Sequence, residues 1–281
     1  MNELSRSIGL IVIGDEILSG KRVDKHLPKL LELLKERGLQ LTWAQYVGDQ
    51  PERIVDVLQR SFATGDIVFV TGGIGSTPDD HTRQAAARAL GLDLVLHPHA
   101  RELIGQRIHE MAQGDPKKAD LDSVENQPRL RMGEFPEGAN IIPNAYNKIP
   151  GFYLREHYFM PGFPVMASPM MTWVLDTLYA DLFHQLDYVE KSFIASGAME
   201  ATITPLLESI ERKYLHIRVF SLPSIGDPTK EGVFAGRHME LGVKGPLDQV
   251  DLALNELRLG VEAFDTVTYD LNKSDTPKDV Q

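Results

Sequence analysis

The sequence predicts an α/β protein: a three-layer, doubly wound and mostly parallel sheet, followed by a second, smaller α+β domain. Short apolar segments rich in β-branched residues alternate with amphipathic segments, which is the pattern of strands joined by crossover helices. Ile67–Val70 is apolar at every position, as expected of a parallel strand covered on both faces. Gly72, Gly73 and Gly75 follow at the sheet edge where α/β proteins bind ligands.

The predicted elements of the first domain, residues 1–182, begin with a regular alternation of strand and helix. Strands are predicted at 8–13, 41–47, 67–71, 92–96, 139–142 and 158–160. Helices are predicted at 25–37, 51–63, 78–90, 100–111 and 164–179. The third of these helices is expected to have Thr77 as its N-cap and Pro78 as its first residue. The polar, proline-containing segment 113–136 is interpreted as a surface excursion and a candidate lid.

The second predicted domain, residues 183–270, has a compact α+β pattern. Its elements are predicted as a strand at 189–195, a helix at 201–213, strands at 217–222 and 232–243, and a helix at 248–259. Gly260 is expected to end the last helix. The remaining residues, 271–281, are predicted to be a disordered tail.

The composition excludes several classes of function. The chain has 281 residues and a formal net charge of −11, so its field repels the phosphate backbone of nucleic acids. The absence of cysteine excludes disulfides, thiolate metal sites and cysteine nucleophiles. No apolar run approaches the roughly 18 residues that span a bilayer, and the amino terminus has no apolar signal core. We therefore expect a cytoplasmic protein that binds neither nucleic acid nor membrane.

Two loops of the predicted sheet carry residues suited to binding a phosphate and a metal. Gly14, Asp15 and Glu16 follow the first strand, and Thr71 leads from the third strand into the glycine turn. In the usual doubly wound order the first and third strands are neighbours, so both loops reach the same crevice. Glycine amides beside carboxylates predict a metal-assisted phosphate site.

The aspartates at this edge also have structural interpretations. Asp79 and Asp80 fit the first turn of a helix that begins at Pro78, where acidic residues are stabilising. Asp49 precedes Pro51 and fits an Asx turn or a helix cap. If Asp79 and Asp80 instead adjoin a bound phosphate, a divalent cation is needed to offset their repulsion. Both interpretations are open at this level.

Three segments carry a family resemblance: G-D-E-I-L-S-G at 14–20, V-G-D at 47–49 and T-G-G-I-G-S-T-P-D-D-H-T at 71–82. Together they resemble the molybdopterin-binding domains of the MoaB/Mog type, which act in molybdenum cofactor biosynthesis. Within that family they are most similar to the amino-terminal domains of CinA-type, competence/damage-inducible proteins. The resemblance covers 8–178 and implies a molybdopterin-binding-like sheet. The later α+β unit resembles the small domain that follows in CinA-type proteins.

The resemblance also implies ligands and residue roles. In the wider family the Thr-Gly-Gly loop and the aspartate matching Asp80 line a pterin-phosphate site. The aspartate matching Asp49 is implicated in adenylyl transfer. CinA-type domains are associated with metal-dependent hydrolysis of ADP-ribose and similar pyrophosphates. The family's habit of forming dimers or trimers implies a homo-oligomer.

The sequence departs from the CinA-type pattern at several positions. His26 stands in place of an asparagine, and Ser76 in place of a proline. Asn147 and Lys148 replace a Gly-Thr pair, and Met166 replaces a glutamate that could serve as a metal ligand or base. The carboxyl-terminal deamidase domain of full-length CinA-type proteins is not expected in this chain, and neither is nicotinamide mononucleotide deamidation.

Together with the site residues, the resemblance implies a metal-dependent enzyme that hydrolyses a nucleotide-type, ADP-ribose-like pyrophosphate. The expected catalytic residues are Asp80 and Asp49, and the expected ligands of Mg²⁺, Mn²⁺ or Co²⁺ are Asp15, Glu16 and Asp79. The expected substrate-binding residues are Gly14, Asp15, Thr71, Gly72, Gly73, Gly75, Ser76, Thr82, Asn144, Pro161 and Gly162. Two alternatives are open. One is molybdopterin binding or nucleotidyl transfer in molybdenum cofactor biosynthesis, and the other is a non-catalytic protein that binds a pterin or nucleotide.

Overall fold

The computed structural model describes residues 6–185, 188–264 and 266–270. The chain divides into two compact units, Met1–Phe183 and His184–Gln281, and each is described by itself. The tail predicted at 271–281 lies outside the described residues. Within the described ranges, no helix is long and apolar enough to cross a membrane.

The first unit is built on a mostly parallel sheet. Its strands over residues 6–183 are β1 (Ile8–Ile13), β2 (Trp43–Val47), β3 (Ile67–Thr71), β4 (Leu94–Leu96), β5 (Glu134–Pro136), β6 (Asn140–Ile142), β7 (Gly151–Leu154) and β8 (His157–Met160). One six-stranded sheet has the order β2-β1-β3-β8-β7-β6. Strands β2, β1, β3 and β8 are parallel, whereas β7 and β6 add antiparallel pairs at one edge. The predicted neighbourhood of the first and third strands is confirmed.

Helices cover both faces of this sheet. They are α1 (Asp15–Leu18), α2 (His26–Glu36), α3 (Pro51–Phe62), α4 (Thr82–Leu90), α5 (Pro98–Ala112), α6 (Pro116–Ala119), α7 (Gln127–Arg131) and α8 (Pro164–Leu178). Successive side chains of a strand point to opposite faces. Phe69 of β3 accordingly packs with residues of α2 and α8, and its neighbour Val70 packs with residues of α3 and α4. The predicted three-layer, doubly wound arrangement is therefore confirmed.

Several features of this unit differ from the sequence prediction. The segment predicted as a surface excursion, 113–136, contains α6, α7 and β5 and buries Leu130 and Phe135. Helix α4 begins at Thr82 instead of Pro78, because Thr77 donates hydrogen bonds to the Asp80 carboxylate in a turn before the helix. The strand predicted at 92–96 is β4, which pairs with β5 outside the main sheet. Strand β7 is absent from the sequence prediction. The two-residue turn that joins it to β8 consists of Arg155 and Glu156, with positive φ values of 47° and 62°, and lacks the Asn-Gly or Asp-Gly pair that usually marks a hairpin.

The second unit combines an antiparallel sheet with two helices. Its elements are β9 (Tyr188–Ser196), α9 (Glu200–Lys213), β10 (Arg218–Ser224), β11 (His238–Pro246), α10 (Leu247–Glu262) and β12 (Val267–Asp270). The strand order is β10-β11-β9-β12, which with the chain order βαββαβ is a split βαβ arrangement. The predicted α+β pattern is confirmed. The strand predicted from 232 begins later, since Gly232–Ala235 is a 3₁₀ turn.

Gly260 does not end the last helix as predicted. It lies inside α10, where an added Cβ atom would approach Leu206 Cδ2 to 2.6 Å. The glycine therefore allows α9 and α10 to pack closely, and the helix continues to Glu262.

A buried histidine in the first unit predicts a pH-dependent stability. His157 is fully buried; its Nε2 lies 2.7 Å from Ser61 Oγ and its Nδ1 lies 2.9 Å from the Arg155 carbonyl oxygen. Burial lowers the pKa of His157 to about 4. Between that value and the unfolded value of 6.5, the unfolded chain binds a proton that the folded chain does not. The free energy of unfolding should therefore fall by roughly 3 kcal/mol as pH decreases through this window.

Urea unfolding at pH 7 and at pH 4.5 measures this effect. The His157→Gln variant, which cannot bind the proton, should show a flatter pH dependence than the unsubstituted chain. Identical pH dependence of the two proteins would contradict the role given to His157.

Candidate functional site

A cavity of about 460 Å³ opens at the carboxyl ends of β1, β3 and β8. The loop after β1 contributes Gly14 and Glu16, the loop after β3 contributes 72–77, and the loop after β8 contributes 161–163. This is the edge at which the sequence predicts a ligand site.

Most of the predicted site residues line this cavity. They are Gly14, Glu16, Asp49, Gly72, Gly73, Gly75, Ser76, Asp79, Asp80, Asn144, Pro161 and Gly162. Asp15 instead lines a neighbouring pocket of about 360 Å³ beside β2 and α3. Thr71 and Thr82 are fully buried. These three residues are therefore not brought to the cavity wall with the others.

The glycine turn is closely packed against the neighbouring strand ends. Gly72 has φ +100°, and an added Cβ atom would lie 2.1 Å from the Ile13 carbonyl oxygen. Its amide donates a 3.0 Å hydrogen bond to the Met160 carbonyl oxygen at the end of β8. A Cβ atom on Gly162 would lie 3.4 Å from Gly72 Cα. The three loops therefore meet through their backbones, and the cavity floor needs glycine.

The carbonyl groups of the turn are bound by the first two residues of α4. Thr82 donates from its amide to Gly73 O and from its hydroxyl to Gly72 O, both at 2.9 Å. Arg83 donates from Nη2 to Gly75 O at 2.8 Å. In contrast, the backbone amides of residues 73–76 have no hydrogen-bond partner within the part of the chain that the structure describes. The turn therefore offers consecutive unpaired donors, as an anion-binding loop does.

The turn that contains Asp79 and Asp80 is closed by hydrogen bonds. Asp80 Oδ2 accepts from the Thr77 amide at 2.8 Å and from Thr77 Oγ1 at 2.5 Å. A Cβ atom on Gly75 would lie 2.6 Å from the same Oδ2, so the carboxylate lies against the glycine turn. Because α4 begins only at Thr82, the interpretation of Asp79 and Asp80 as first-turn helix residues is wrong.

Several carboxylates lie close together where the cavity adjoins the neighbouring pocket. Asp15 N donates to Asp49 Oδ2 at 2.8 Å, and Asp49 N donates to Asp15 Oδ1 at 3.3 Å. The helix-cap interpretation of Asp49 is wrong, since Gln50 is the N-cap of α3. Burial raises the pKa of Asp49, and the negative charges of Asp15, Glu16 and Asp79 add to this effect, against the hydrogen bond from the Asp15 amide.

The predicted metal ligands do not form a complete coordination group. Glu16 and Asp79 line the cavity, whereas Asp15 lines the neighbouring pocket. Over the described residues, no group of three or more His, Asp or Glu side chains could hold a metal ion. Binding of Mg²⁺, Mn²⁺ or Co²⁺ stays a prediction.

Most of the positions that depart from the CinA-type pattern line the cavity. Asn147 Nδ2 donates to Met166 Sδ at 3.4 Å, and Asn144 Nδ2 donates to Asn147 Oδ1 at 2.9 Å. His26 is buried, and its Nε2 lies 3.2 Å from the Gly162 carbonyl oxygen. Burial lowers the pKa of His26. Four of the five departures, His26, Ser76, Asn147 and Met166, therefore line one cavity. The fifth, Lys148, instead binds Glu110 at a separate surface pocket.

Two arginines at the site are absent from the sequence prediction. Arg22 is exposed and lines the cavity. Arg83 is only 3% exposed and donates to the carbonyl oxygens of Gly75, Glu134 and Arg131. No local pattern in the sequence distinguishes them, because their roles depend on contacts between distant segments.

The crowded carboxylates predict that one substitution stabilises the ligand-free protein. Asp49→Asn keeps an oxygen that can accept from the Asp15 amide and removes a charge that three neighbouring carboxylates oppose. We expect the free energy of unfolding to rise by less than about 1 kcal/mol, since Asp49 is partly exposed and screened by solvent. The gain should shrink at high salt.

Urea unfolding at low and at high salt checks this expectation. Asp56→Asn, on exposed helix surface, removes the same charge and should leave the stability unchanged. Destabilisation by Asp49→Asn would show that Asp49 has a mainly structural role.

Comparison with known proteins places most of the first unit in one family. The family described as "probable molybdopterin binding domain" matches residues 9–180, which is more than half of the chain. A putative competence-damage inducible protein of Alkaliphilus metalliredigens is 32% identical over 165 residues, which cover 57% of this chain and 38% of that protein. A CinA-like protein of Citrifermentans bemidjiense is 31% identical over 207 residues, which cover 72% of this chain and 47% of that protein. The chain therefore spans less than half the length of these relatives.

A solved structure shares the fold. The crystal structure of the protein CinA from Thermoplasma acidophilum aligns with a TM-score of 0.52 at 22% identity. The alignment covers 63% of this chain and 99% of that one. At this level of identity the similarity shows a common architecture.

Proposed function

The chain belongs to the family described as probable molybdopterin binding domains, and on that premise we propose that it binds a pterin- or nucleotide-type small molecule through a phosphate group. The ligand lies in the 460 Å³ cavity at the ends of β1, β3 and β8. Its phosphate is held by the glycine turn.

The set of unpaired amides in residues 73–76 carries this proposal. Residues 73–75 are buried or partly buried, whereas Ser76 is exposed. Buried backbone donors are normally paired, so consecutive unpaired amides at 73–75 are a feature of an anion-binding loop. Gly73, Ile74 and Gly75 all line the cavity. The bound phosphate would complete the hydrogen bonding of this turn.

The rest of the cavity suits a flat organic group. Its volume falls within the usual range of roughly 300–1,000 Å³ for small-molecule sites. Apolar side chains supply much of the wall; they are Val12, Ile13, Ile17, Ile74, Met132, Ile149, Phe163 and Met166. Polar groups such as Asn144 and Asn147 lie among them and can orient a heterocycle.

Calorimetry with a panel of phosphorylated pterins and nucleotides tests the proposal. Gly75→Ala is the most informative variant, because the new Cβ atom displaces a carboxylate side chain and no backbone atom. We expect it to fold and to bind the ligand at least tenfold more weakly. Gly105→Ala, in α5 outside the cavity, should bind normally. If Gly75→Ala and Gly105→Ala bind the ligand with equal affinity, the glycine turn does not form part of the binding site.

A second candidate function is metal-dependent hydrolysis of a nucleotide-type pyrophosphate such as ADP-ribose. The observation that favours it is the position of Asp49 among other carboxylates beside the phosphate-binding turn. Turnover of ADP-ribose with Mg²⁺, Mn²⁺ or Co²⁺, lost in Asp49→Asn, would support it. If ADP-ribose binds but is not hydrolysed with any of the three metals, the protein binds the nucleotide without catalysis. Incubation with ATP and molybdopterin would detect the alternative, nucleotidyl transfer.

The assembly state and location also stay as proposals. We propose a homo-oligomer, a dimer or a trimer, in the cytoplasm. A gel-filtration mass equal to one 31.4 kDa chain would contradict the first of these.

A further inference from the structure

Arg83 carries a buried positive charge behind the glycine turn. Its side chain is 97% shielded from solvent, and its guanidinium donates to three backbone carbonyl oxygens, those of Gly75, Glu134 and Arg131. Its Nε atom is buried without a hydrogen-bond partner. No carboxylate within the described residues forms a salt bridge with it.

A buried charge without an ion pair is costly. The negative charges of Glu134 and Asp80 act on Arg83 without forming a salt bridge, and a bound phosphate would add a further anion. The carboxylates on the cavity wall are Glu16, Asp49, Asp79 and Asp80, and they repel a phosphate. Arg22 is exposed at the same wall. Arg83, the cation below the turn, therefore favours binding of a phosphate that the wall carboxylates repel.

The geometry of the peptide groups transmits this charge to the ligand. All peptide bonds described are trans, so the carbonyl and the following N–H of one peptide group point in opposite directions. Arg83 binds the carbonyl of Gly75, and the N–H of the same peptide group belongs to Ser76 and is unpaired. A hydrogen bond to a cation polarises the peptide group and strengthens its N–H as a donor.

Thr82 acts in the same way on the two preceding peptide groups. It binds the carbonyls of Gly72 and Gly73, whose partner amides belong to Gly73 and Ile74. The first two residues of α4 thus hold three peptide groups with their amides unpaired.

We propose that Arg83 is a positioning residue of the phosphate subsite, which orients and polarises the Gly75–Ser76 peptide group and selects phosphorylated ligands without contacting them. This inference rests on the proposed function. Through Arg131 and Glu134 the same guanidinium also fixes the segment that brings Met132 to the cavity wall. The phosphate-binding turn and part of the apolar wall are therefore held by one side chain.

Affinity for inorganic pyrophosphate, measured by calorimetry, tests the proposal. Arg83→Gln removes the charge and should weaken pyrophosphate binding at least tenfold, and by a larger factor than it weakens binding of a pterin without phosphate, which contacts only the wall. Arg83→Lys keeps the charge and should be intermediate. Arg88→Gln, on the exposed surface of the same helix, is the control for net charge and should bind pyrophosphate normally. A folded Arg83→Gln variant with unchanged pyrophosphate affinity overturns the proposal.

Nuclear magnetic resonance of the unsubstituted chain provides a test that does not depend on the folding of a variant. Pyrophosphate should shift the amide signals of Gly73, Ile74 and Ser76 and also the guanidinium signals of Arg83. Amide shifts without any change at Arg83 overturn the role of Arg83 and leave the proposed function intact. If the unsubstituted chain binds neither pyrophosphate nor any phosphorylated ligand, the proposed function itself fails.

Discussion

Replacement of Gly72 by alanine is expected to lower the free energy of unfolding by roughly 3 kcal/mol and to abolish ligand binding. The residue has φ +100°, which disfavours any side chain. The new Cβ atom would also lie 2.1 Å from the Ile13 carbonyl oxygen, a backbone atom of β1 that cannot rotate away. Relief of this overlap requires β1 and β3 to separate at the floor of the cavity.

The Gly65→Ala variant separates the two causes of the stability loss, which are the positive φ and the overlap with the Ile13 carbonyl oxygen. Gly65 has φ +74°, and an added Cβ atom would meet nothing within 4 Å. Its loss of stability should therefore reflect backbone strain alone, about 1 kcal/mol. Urea unfolding of both variants measures the difference. Equal losses would show that the close approach of Gly72 to β1 is not needed.

Substitution of Asp80 should have the next largest effect, and on binding more than on stability. Asp80→Ala removes the acceptor of both Thr77 hydrogen bonds and should weaken binding of a phosphorylated ligand at least tenfold, because the turn beside Gly75 opens. The residue lies outside regular helix, so the free energy of unfolding should fall by only about 1 kcal/mol.

The Asp80→Asn variant distinguishes the role of Asp80 in closing the turn from the role of its negative charge. The amide oxygen can still accept from Thr77, so the turn should remain closed. If Asp80 only shapes the turn, this variant binds a phosphorylated ligand at least as tightly as the unsubstituted chain does, because a charge that repels the phosphate is gone, and hydrolysis, if detected, continues. If its charge takes part in the chemistry, turnover is lost while binding persists. Full activity of Asp80→Ala would contradict both roles.

The central sheet and the glycine turn could be predicted because their signals are local. Strands β1 and β3 are continuous apolar segments, and the turn after β3 is marked by three glycines. The common edge follows from the usual doubly wound order, in which the first and third strands are neighbours where successive crossovers leave in opposite directions. The sequence therefore predicts the cavity residues that follow β1 and β3, namely Gly14, Glu16, Gly72, Gly73 and Gly75.

The contacts between distant segments could not be predicted in the same way. Arg83 binds the carbonyl of a residue 48 positions away, and Asp15 pairs with Asp49 only because β1 and β2 are in register. The sequence predicts a start of α4 at Pro78, because S-T-P-D-D is typical of a helix start, whereas the helix begins at Thr82. Side-chain hydrogen bonds between Asp80 and Thr77 stabilise a competing turn.

Three of the departures from the family pattern, His26, Asn147 and Met166, make contacts at the cavity wall. Asn147 and Met166 contact each other, and His26 contacts the backbone of Gly162. All three line the cavity. We expect them to alter the organic part of the ligand that is accepted, and to leave the phosphate subsite at 73–76 unchanged.

The most direct measurement of the central claim compares a pterin that carries a phosphate monoester with the same pterin without phosphate. Calorimetric titration of the unsubstituted chain should give saturable binding of the phosphorylated compound and at least tenfold weaker binding of the other. Equal affinities for the two compounds, or no binding of either compound and of any phosphorylated nucleotide, would contradict a phosphate site at the glycine turn.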